Sequence, residues 1–340
     1  MPLVMFITYF LITVLLTAIL LVYFYVARRC NIIDYPAKRS SHTKPTIRGG
    51  GILFPLAGLI WFVLFGQLEP WAIAGLFLIS FISFWDDIQN IRASIRFFIH
   101  FVAVTLLFYQ LGIFEYYWYW AAFAYILTIG CINAVNFMDG INGITAFYSL
   151  VTLGTFSLLN NARRLIQPVL SVDIPANWQS FLSGRLVGVL FIAMMVFAFF
   201  NARKRAYTFA GDVGSISIAF IISWFLIKLM VMSHDFYWIL LVAVYGIDTA
   251  YTIALRIRRG ENILKPHRLH LYQLLANEKG WPQLSVAMLF AGVQLLLNVL
   301  VILLIFHGMM NVTVFFVILI SLTLIYAVSR WAVMQAPQQK

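Results

Sequence analysis

The sequence predicts an all-α, polytopic membrane protein of about eleven transmembrane helices, its N-terminus outside and its C-terminus in the cytoplasm. Three observations carry that reading. The 340 residues are 63% hydrophobic and only 10% charged, where a soluble chain is roughly 45–50% apolar and about 25% charged. Apolar stretches recur at or near the ~20 residues that a hydrocarbon core of ~30 Å demands. Basic residues fall almost wholly in every second loop. With 23 Lys and Arg and 12 Asp and Glu, no water-facing surface can be assembled, which excludes a soluble globular enzyme and a disordered chain together.

The eleven stretches lie near 3–26, 50–66, 70–85, 95–113, 117–135, 143–160, 185–200, 213–232, 237–256, 284–307 and 311–331. The first, Met1 to Val26, carries no Lys or Arg, so it lacks the basic start of a cleavable signal peptide and reads as a retained helix. The segment after it is strongly basic and is placed inside. Alternation then puts 19 Lys and Arg in inside loops, against Arg163, Arg164 and Arg185 outside, with Lys228 within a span. The chain therefore reads as one transmembrane domain, 1–340, with cytoplasmic loops at about 27–49, 86–95, 136–143, 201–212 and 257–283. Two cysteines, Cys30 and Cys131, cannot build a disulfide scaffold. A net charge of +11 would suit nucleic acid, but in a membrane chain it marks the cytoplasmic loops and an anionic leaflet. Membrane lipids, and no nucleic acid, are the expected partners.

The carboxylates gather on that map. Asp86, Asp87, Asp139 and Asp212 come from three separated regions yet fall at helix ends or loops on the cytoplasmic side. Ionisable groups near hydrocarbon are expensive and mark polar cavities or function. Asp86 and Asp87 emerge side by side from an apolar span, and adjacent like charges ask for a cation, for which the hard Mg²⁺ suits oxygen ligands. Asn133, Asn136 and Asp139 follow one another at i, i+3 spacing and make a polar stripe, with Gly140 and Gly143 permitting a tight break. Asp212 opens the span near 213, beside helix amides suited to phosphate.

Two basic loops face the same side. Arg39 to Gly51, with His42, Lys44, Arg48 and a glycine triplet, resembles a phosphate cradle but lacks the GxxxxGK[ST] spacing. In Lys265 to Gln273, His267 and His270 would share a helix face with Arg268, which favours an anion over zinc since no Cys lies near. Acids that hold a metal and bases that hold phosphate describe a phosphoryl-transfer site at the membrane interface, where a soluble nucleotide can meet a lipid.

In order along the chain stand DYPAKRSSHTKPTIRGGG (Asp34 to Gly51), the Asp86–Asp87 pair, NAVNFMDGING (Asn133 to Gly143), GDVGS (Gly211 to Ser215) and HRLHLYQ (His267 to Gln273). Together they resemble the polyprenyl-phosphate N-acetylhexosamine-1-phosphate transferases of glycosyltransferase family 4, which include the muramoyl-pentapeptide transferase of peptidoglycan. The resemblance implies a fold of ten or eleven helices with a cytoplasmic cleft, in a bacterial cytoplasmic membrane. It implies transfer of a sugar 1-phosphate from a UDP-N-acetylhexosamine to undecaprenyl phosphate, releasing UMP. Mg²⁺, or Mn²⁺ in its place, is the implied cofactor, and a homodimer is compatible with it. The implied catalytic residues are Asp86, Asp87, Asp139 and His270, and the implied metal ligands Asp212 and Asn136. Substrate binding falls to His42, Lys44, Arg48, Asn133, Asn142, Arg205, His267 and Arg268.

Departures from the family pattern narrow it. Many relatives carry a second Asp where this chain has Asn142, so a base role there does not transfer. A phosphate monoester with a second pKa of about 6 is largely dianionic at neutral pH and has little need of a strong base. Tyr272 and Gln273 stand where some relatives have further histidines, and Arg203-Lys204-Arg205 replaces a more apolar, Pro-containing segment. These features look like the O-antigen- or capsule-initiating branch, with the sugar left open among N-acetylglucosamine, N-acetylquinovosamine and N-acetylfucosamine. The rival class is a secondary transporter with a charged site on the cytoplasmic face. Transporter sites favour the bilayer midplane and repeated halves, whereas these acids gather at one interface. A non-catalytic assembly subunit would rest on the 17% aromatic content, which interfacial belts such as Tyr116 to Trp120 already explain.

Overall fold

The computed structural model describes residues 2–36, 41–66, 68–262 and 267–335. Lys38, Arg39, Ser40, Lys265, Pro266 and Lys340, which enter the basic motifs or the charge balance above, lie outside the described residues. Among the described residues, eleven apolar helices carry the fold. They are α1 (Pro2–Arg29), α2 (Leu53–Phe65), α3 (Pro70–Ile88), α4 (Ala93–Gln110), α5 (Trp118–Met138) and α6 (Ile144–Asn160). After two single turns come α7 (Gly184–Asn201), α8 (Gly211–Ser233), α9 (Ala243–Arg258), α10 (Gln283–Phe306) and α11 (Val312–Gln335). Each falls on a stretch read from the sequence. Among the described residues nine are long and apolar enough to cross a membrane, counting α9 with the 3₁₀ run Phe236–Val242 before it, while α2 and α6 are shorter. The protein is an all-α, multi-pass membrane protein.

Local chemistry sets the ends. Gly66 closes α2 in the left-handed region at φ 116°, and Pro70 opens α3 at its first turn, where its missing N–H costs nothing. The structure runs α3 on to Ile88, so Asp86 and Asp87 lie in its last turn rather than in the loop beyond it. The span expected at 237–256 is broken. Gln294 of α10 takes the N–H of Val244 on its Oε1 at 3.0 Å and donates its Nε2 to the carbonyl of Leu240 at 3.0 Å. A side chain inserted into the backbone ladder is one cause of such a break.

α8 is the axis of the bundle. From Val213 to Ile227 its residues are buried, and it packs on α3, α5, α6 and α2. α11 fully buries only Phe315, Tyr326 and Arg330, packs Ile318, Leu319 and Leu322 partly against the core, and leaves residues such as Phe316, Ile320 and Leu324 exposed to lipid. Polar groups within the bundle pair across helices, as bilayer physics demands. Ser80 of α3 meets Ser217 of α8 at 2.7 Å, and Lys228 of α8 pairs with Glu69, which also accepts from Trp224 Nε1 at 3.0 Å. At the other end of α8, two-residue strands β1 (Ile33–Asp34) and β2 (Thr46–Ile47) pair antiparallel, Ile33 opposite Ile47. Ile47 also bridges Thr208, tying the first basic loop to the chain entering α8.

Candidate active site

The site is built around the start of α8. Gly211 turns the chain into the helix at φ 72°, and the first amides of the helix have no acceptor within it. Asp87 supplies one from α3. Its Oδ1 accepts the N–H of Asp212 at 2.9 Å and its Oδ2 that of Val213 at 3.0 Å. A carboxylate there also suits the positive end of the helix dipole. Arg48 Nε lies 2.6 Å from Oδ1, and the Asp87 side chain has no exposed surface. The helix amides that the sequence offered to a phosphate are thus capped by Asp87.

The glycine triplet has a packing reason. Gly50 donates its N–H to the carbonyl of Phe209 at 2.9 Å and Gly51 to that of Ala210 at 3.1 Å, so these amides cradle backbone and no phosphate. Gly51 lies directly on Gly214 of α8, where a Cβ added at Gly214 would sit 2.7 Å from the Gly51 Cα. Gly51→Ala should overpack this contact and cost about 1–3 kcal/mol. Thermal unfolding in detergent checks it; a wild-type midpoint would mean that the two backbones do not touch.

On this frame the charges form a chain. Arg48 Nη2 lies 3.4 Å from Asp212 Oδ1, while Arg96 of α4 joins Asp86 and stands 3.7 Å from Asp212 Oδ2. Asp86 also accepts the N–H of Ile91 at 2.8 Å. From α5, Asn136 donates to Asp212 Oδ1 at 3.2 Å and to Ser215 Oγ at 2.9 Å. Asp139, just past the end of α5, accepts from Thr145 Oγ1 at 2.5 Å, and its burial pushes the carboxyl up to about 6. Burial works against the Arg48 charge, but Asp87 and Asp212 outweigh it and hold the guanidinium above its ordinary range. The Asp212 side chain is 22% exposed, against 9% for Asp86 and none for Asp87. Asp212 is the carboxylate that faces outward.

Residues 70–230, which carry Asp86, Asp87, Asn136, Asp139 and Asp212, match the family model described as glycosyl transferase family 4. Over these residues the chain is similar to that family. It is 24% identical over 277 residues to a probable undecaprenyl-phosphate N-acetylglucosaminyl 1-phosphate transferase of Bacillus subtilis, covering 74% of this chain and 71% of that one. It is 27% identical over 191 residues to a phospho-N-acetylmuramoyl-pentapeptide-transferase of Halalkalibacterium halodurans, covering 54% of this chain and 51% of the relative. The enzyme of that name from Oceanobacillus iheyensis is 28% identical over 190 residues, with the same coverage. The chain thus spans about half the length of these two relatives.

The other predicted residues divide by place. Asn133 is exposed and lines a cavity of about 950 Å³, while Asn136, one turn on, faces Asp212, so the expected stripe splits in two. Asn142 is buried and donates to the carbonyl of Arg203 at 2.9 Å, while its N–H donates to Gln283 Oε1 at 2.9 Å, so its side chain ties two loops together. His42 packs edge-on to Phe209 at 4.8 Å; Lys44 and Arg205 are exposed, and Arg268 is half-buried. His267 and His270 do not share a helix. Residues 267–269 are irregular and His270 precedes the short helix Leu271–Gln273, yet the two rings meet at 4.9 Å.

Two residues that the sequence reading passed over belong here. Arg96 was counted as a loop charge, and nothing in its spacing points to Asp86 or Asp212. Asp248 was legible as an acid inside a span; it is fully buried, and its Oδ1 lies 2.7 Å from His270 Nδ1. Burial, then the neighbouring His270 and Arg256, pull His267 down to about 4, so it is neutral at pH 7 and supplies no charge to an anion. Its folded pKa lies below the ordinary 6.5, so protonating it opposes folding as pH falls from about 6.5 to about 4. A histidine NMR titration should place its midpoint near 4; a midpoint near 6.5 would contradict its burial.

Proposed function

We propose that the chain transfers an N-acetylhexosamine 1-phosphate from a UDP-sugar to undecaprenyl phosphate, releasing UMP and leaving a lipid-linked sugar diphosphate that starts a cell-surface polysaccharide. One observation carries the reading. The apolar cavity between α5, α9 and α11 runs from Phe123, Ile239 and Phe315 to Asn133, Phe137 and His267. At that second end, α5 turns Asn136 into the charged cluster. A lipid phosphate needs both surfaces at once, an apolar groove for its chain and fixed charge for its head. The likeness to glycosyl transferase family 4 and to relatives that are transferases of phospho-sugars supports the same reading.

In this reaction an acceptor phosphate oxygen attacks the phosphorus that bears the sugar. The bond from that phosphorus to the bridging oxygen breaks, and the electron pair leaves with UMP. The acceptor is largely dianionic at neutral pH, with a second pKa of about 6, so its attack needs no base. It needs relief from repulsion between two anions, which positioning and fixed charge provide. Arg48 and Arg96 stand beside Asp212, each held in place by a carboxylate, Asp87 or Asp86.

Mg²⁺, or Mn²⁺ in its place, fits this donor set. Asp86, Asp87 and Asp212 outnumber the two guanidinium groups, and Asp212 meets Asn136, Arg48 and Arg96 at 3.2–3.7 Å. Among the described residues no three His, Cys, Asp or Glu side chains gather to hold a metal. Mg²⁺ is commonly bound by one or two carboxylates, with phosphate oxygens and water completing its shell. Asp212 would hold it, with Asn136 offering its amide oxygen. When bound, the cation draws charge from the diphosphate.

Purified protein given undecaprenyl phosphate, Mg²⁺ and a panel of UDP-N-acetylhexosamines should release UMP, and mass spectrometry of the lipid product names the sugar. Folded protein that releases none from any member of the panel refutes the proposal.

A further inference from the structure

We propose that Asp248 is the positioning residue of His270, holding the ring so that Nε2 meets a phosphate oxygen at the mouth of the cavity; this rests on the transferase reading above. Asp248 lies within α9 with no exposed surface, where an ionisable group is costly unless it is paired. It is surrounded by donors. Its Oδ1 lies 2.7 Å from His270 Nδ1 and accepts from Tyr326 Oη at 3.2 Å and more weakly from Thr252 Oγ1 at 3.4 Å; its Oδ2 accepts the N–H of Leu271 at 3.1 Å. A carboxylate only accepts, so Nδ1 must carry the hydrogen of that bond. The tautomer is thereby set, and Nε2 is left as the working atom.

That atom has no partner. The His270 ring is 2% exposed, and Nε2 is buried with no hydrogen bond in this structure. Buried ring nitrogens are normally satisfied, and one that is not asks for a ligand. The flanking rings say where the ligand would lie. Phe137 at 6.2 Å and His267 at 4.9 Å both line the cavity, and Tyr272 stacks at 5.9 Å. α11 braces the assembly from behind, Tyr326 on Asp248 and Arg330 on the carbonyl of Leu269. When both ring nitrogens carry hydrogen, Nδ1 donates to Asp248 and Nε2 donates to an anionic oxygen. Phosphate is that chemistry, whether it comes from the lipid acceptor or from the nucleotide diphosphate.

The test begins with wild-type protein labelled with ¹⁵N-histidine, the H270Q spectrum assigning the signal. His270 should show a protonated Nδ1, and its Nε2 signal should shift on adding undecaprenyl phosphate alone or UDP-N-acetylglucosamine alone; the arm that shifts names the source. An unprotonated Nδ1, or no shift in either arm, overturns the proposal, and neither result depends on UMP release. In the assay, Asp248→Asn should lower kcat by about 10²-fold with a smaller change in KM. In the H270Q background the same change should add less than about 3-fold, because it acts through a ring no longer present. Full, multiplicative loss in that background overturns the positioning role.

Discussion

Replacing Asp212 by Ala is expected to lower UMP release by about 10³-fold or more while leaving the thermal unfolding midpoint near that of the wild type. The two halves of this expectation have separate causes. The Asp212 side chain is the most exposed of the three carboxylates and meets Asn136, Arg48 and Arg96 at 3.2 Å and longer, so little of the fold rests on it. What holds α8 in place is the backbone N–H of Asp212, which donates to Asp87 and survives the substitution. Arg48 and Arg96 keep Asp87 and Asp86 as partners, so neither guanidinium is stranded. Under the proposed function, by contrast, the outward carboxylate is the group that would hold a cation against a diphosphate. Wild-type turnover with wild-type Mg²⁺ dependence in Asp212→Ala would refute that assignment.

Asp87→Ala should do the other kind of damage. It strips the acceptor from two amides at the start of α8 and leaves Arg48 without its 2.6 Å partner. Each unsatisfied buried amide costs about 1–3 kcal/mol, and the lost partner of the partly exposed Arg48 adds to that. The expected result is a large fall in unfolding midpoint or in the yield of folded protein, with activity lost as a consequence. Asp87→Asn keeps one oxygen acceptor but loses the charge, so it should fall between wild type and Ala. A variant that unfolds at the wild-type temperature and loses only turnover would show that this carboxylate serves the reaction directly and not the helix.

These two neighbours in the family motifs show where reading residues in a line stops. Asp86 and Asp87 read as a pair emerging together into water. Successive residues of a helix point about 100° apart, and the structure sends Asp86 to Arg96 and Asp87 to the amides of α8. The glycines at 49–51 were noticed as a run before a helix and read as a cradle, since glycine permits close approach to ligand and backbone alike. Only the placement of Gly214 opposite Gly51 decides for backbone. Asp248 is the reverse case. It stands in none of the motifs near the interface, and only the rule that an acid within a span is costly marks it.

What the sequence determined by itself was every property summed along a short stretch of chain. The cost of polar groups in hydrocarbon is paid residue by residue, so eleven apolar runs could be located from composition alone, and each became a helix. Their gathering acids and bases, and the family those residues resemble, were also readable, because residue types and spacing carry them. The tertiary structure decided which carboxylate caps, which faces outward, and which is hidden behind a histidine. Those outcomes depend on directions between helices far apart in the chain, where a hydrogen bond or an ion pair is won or lost within an ångström.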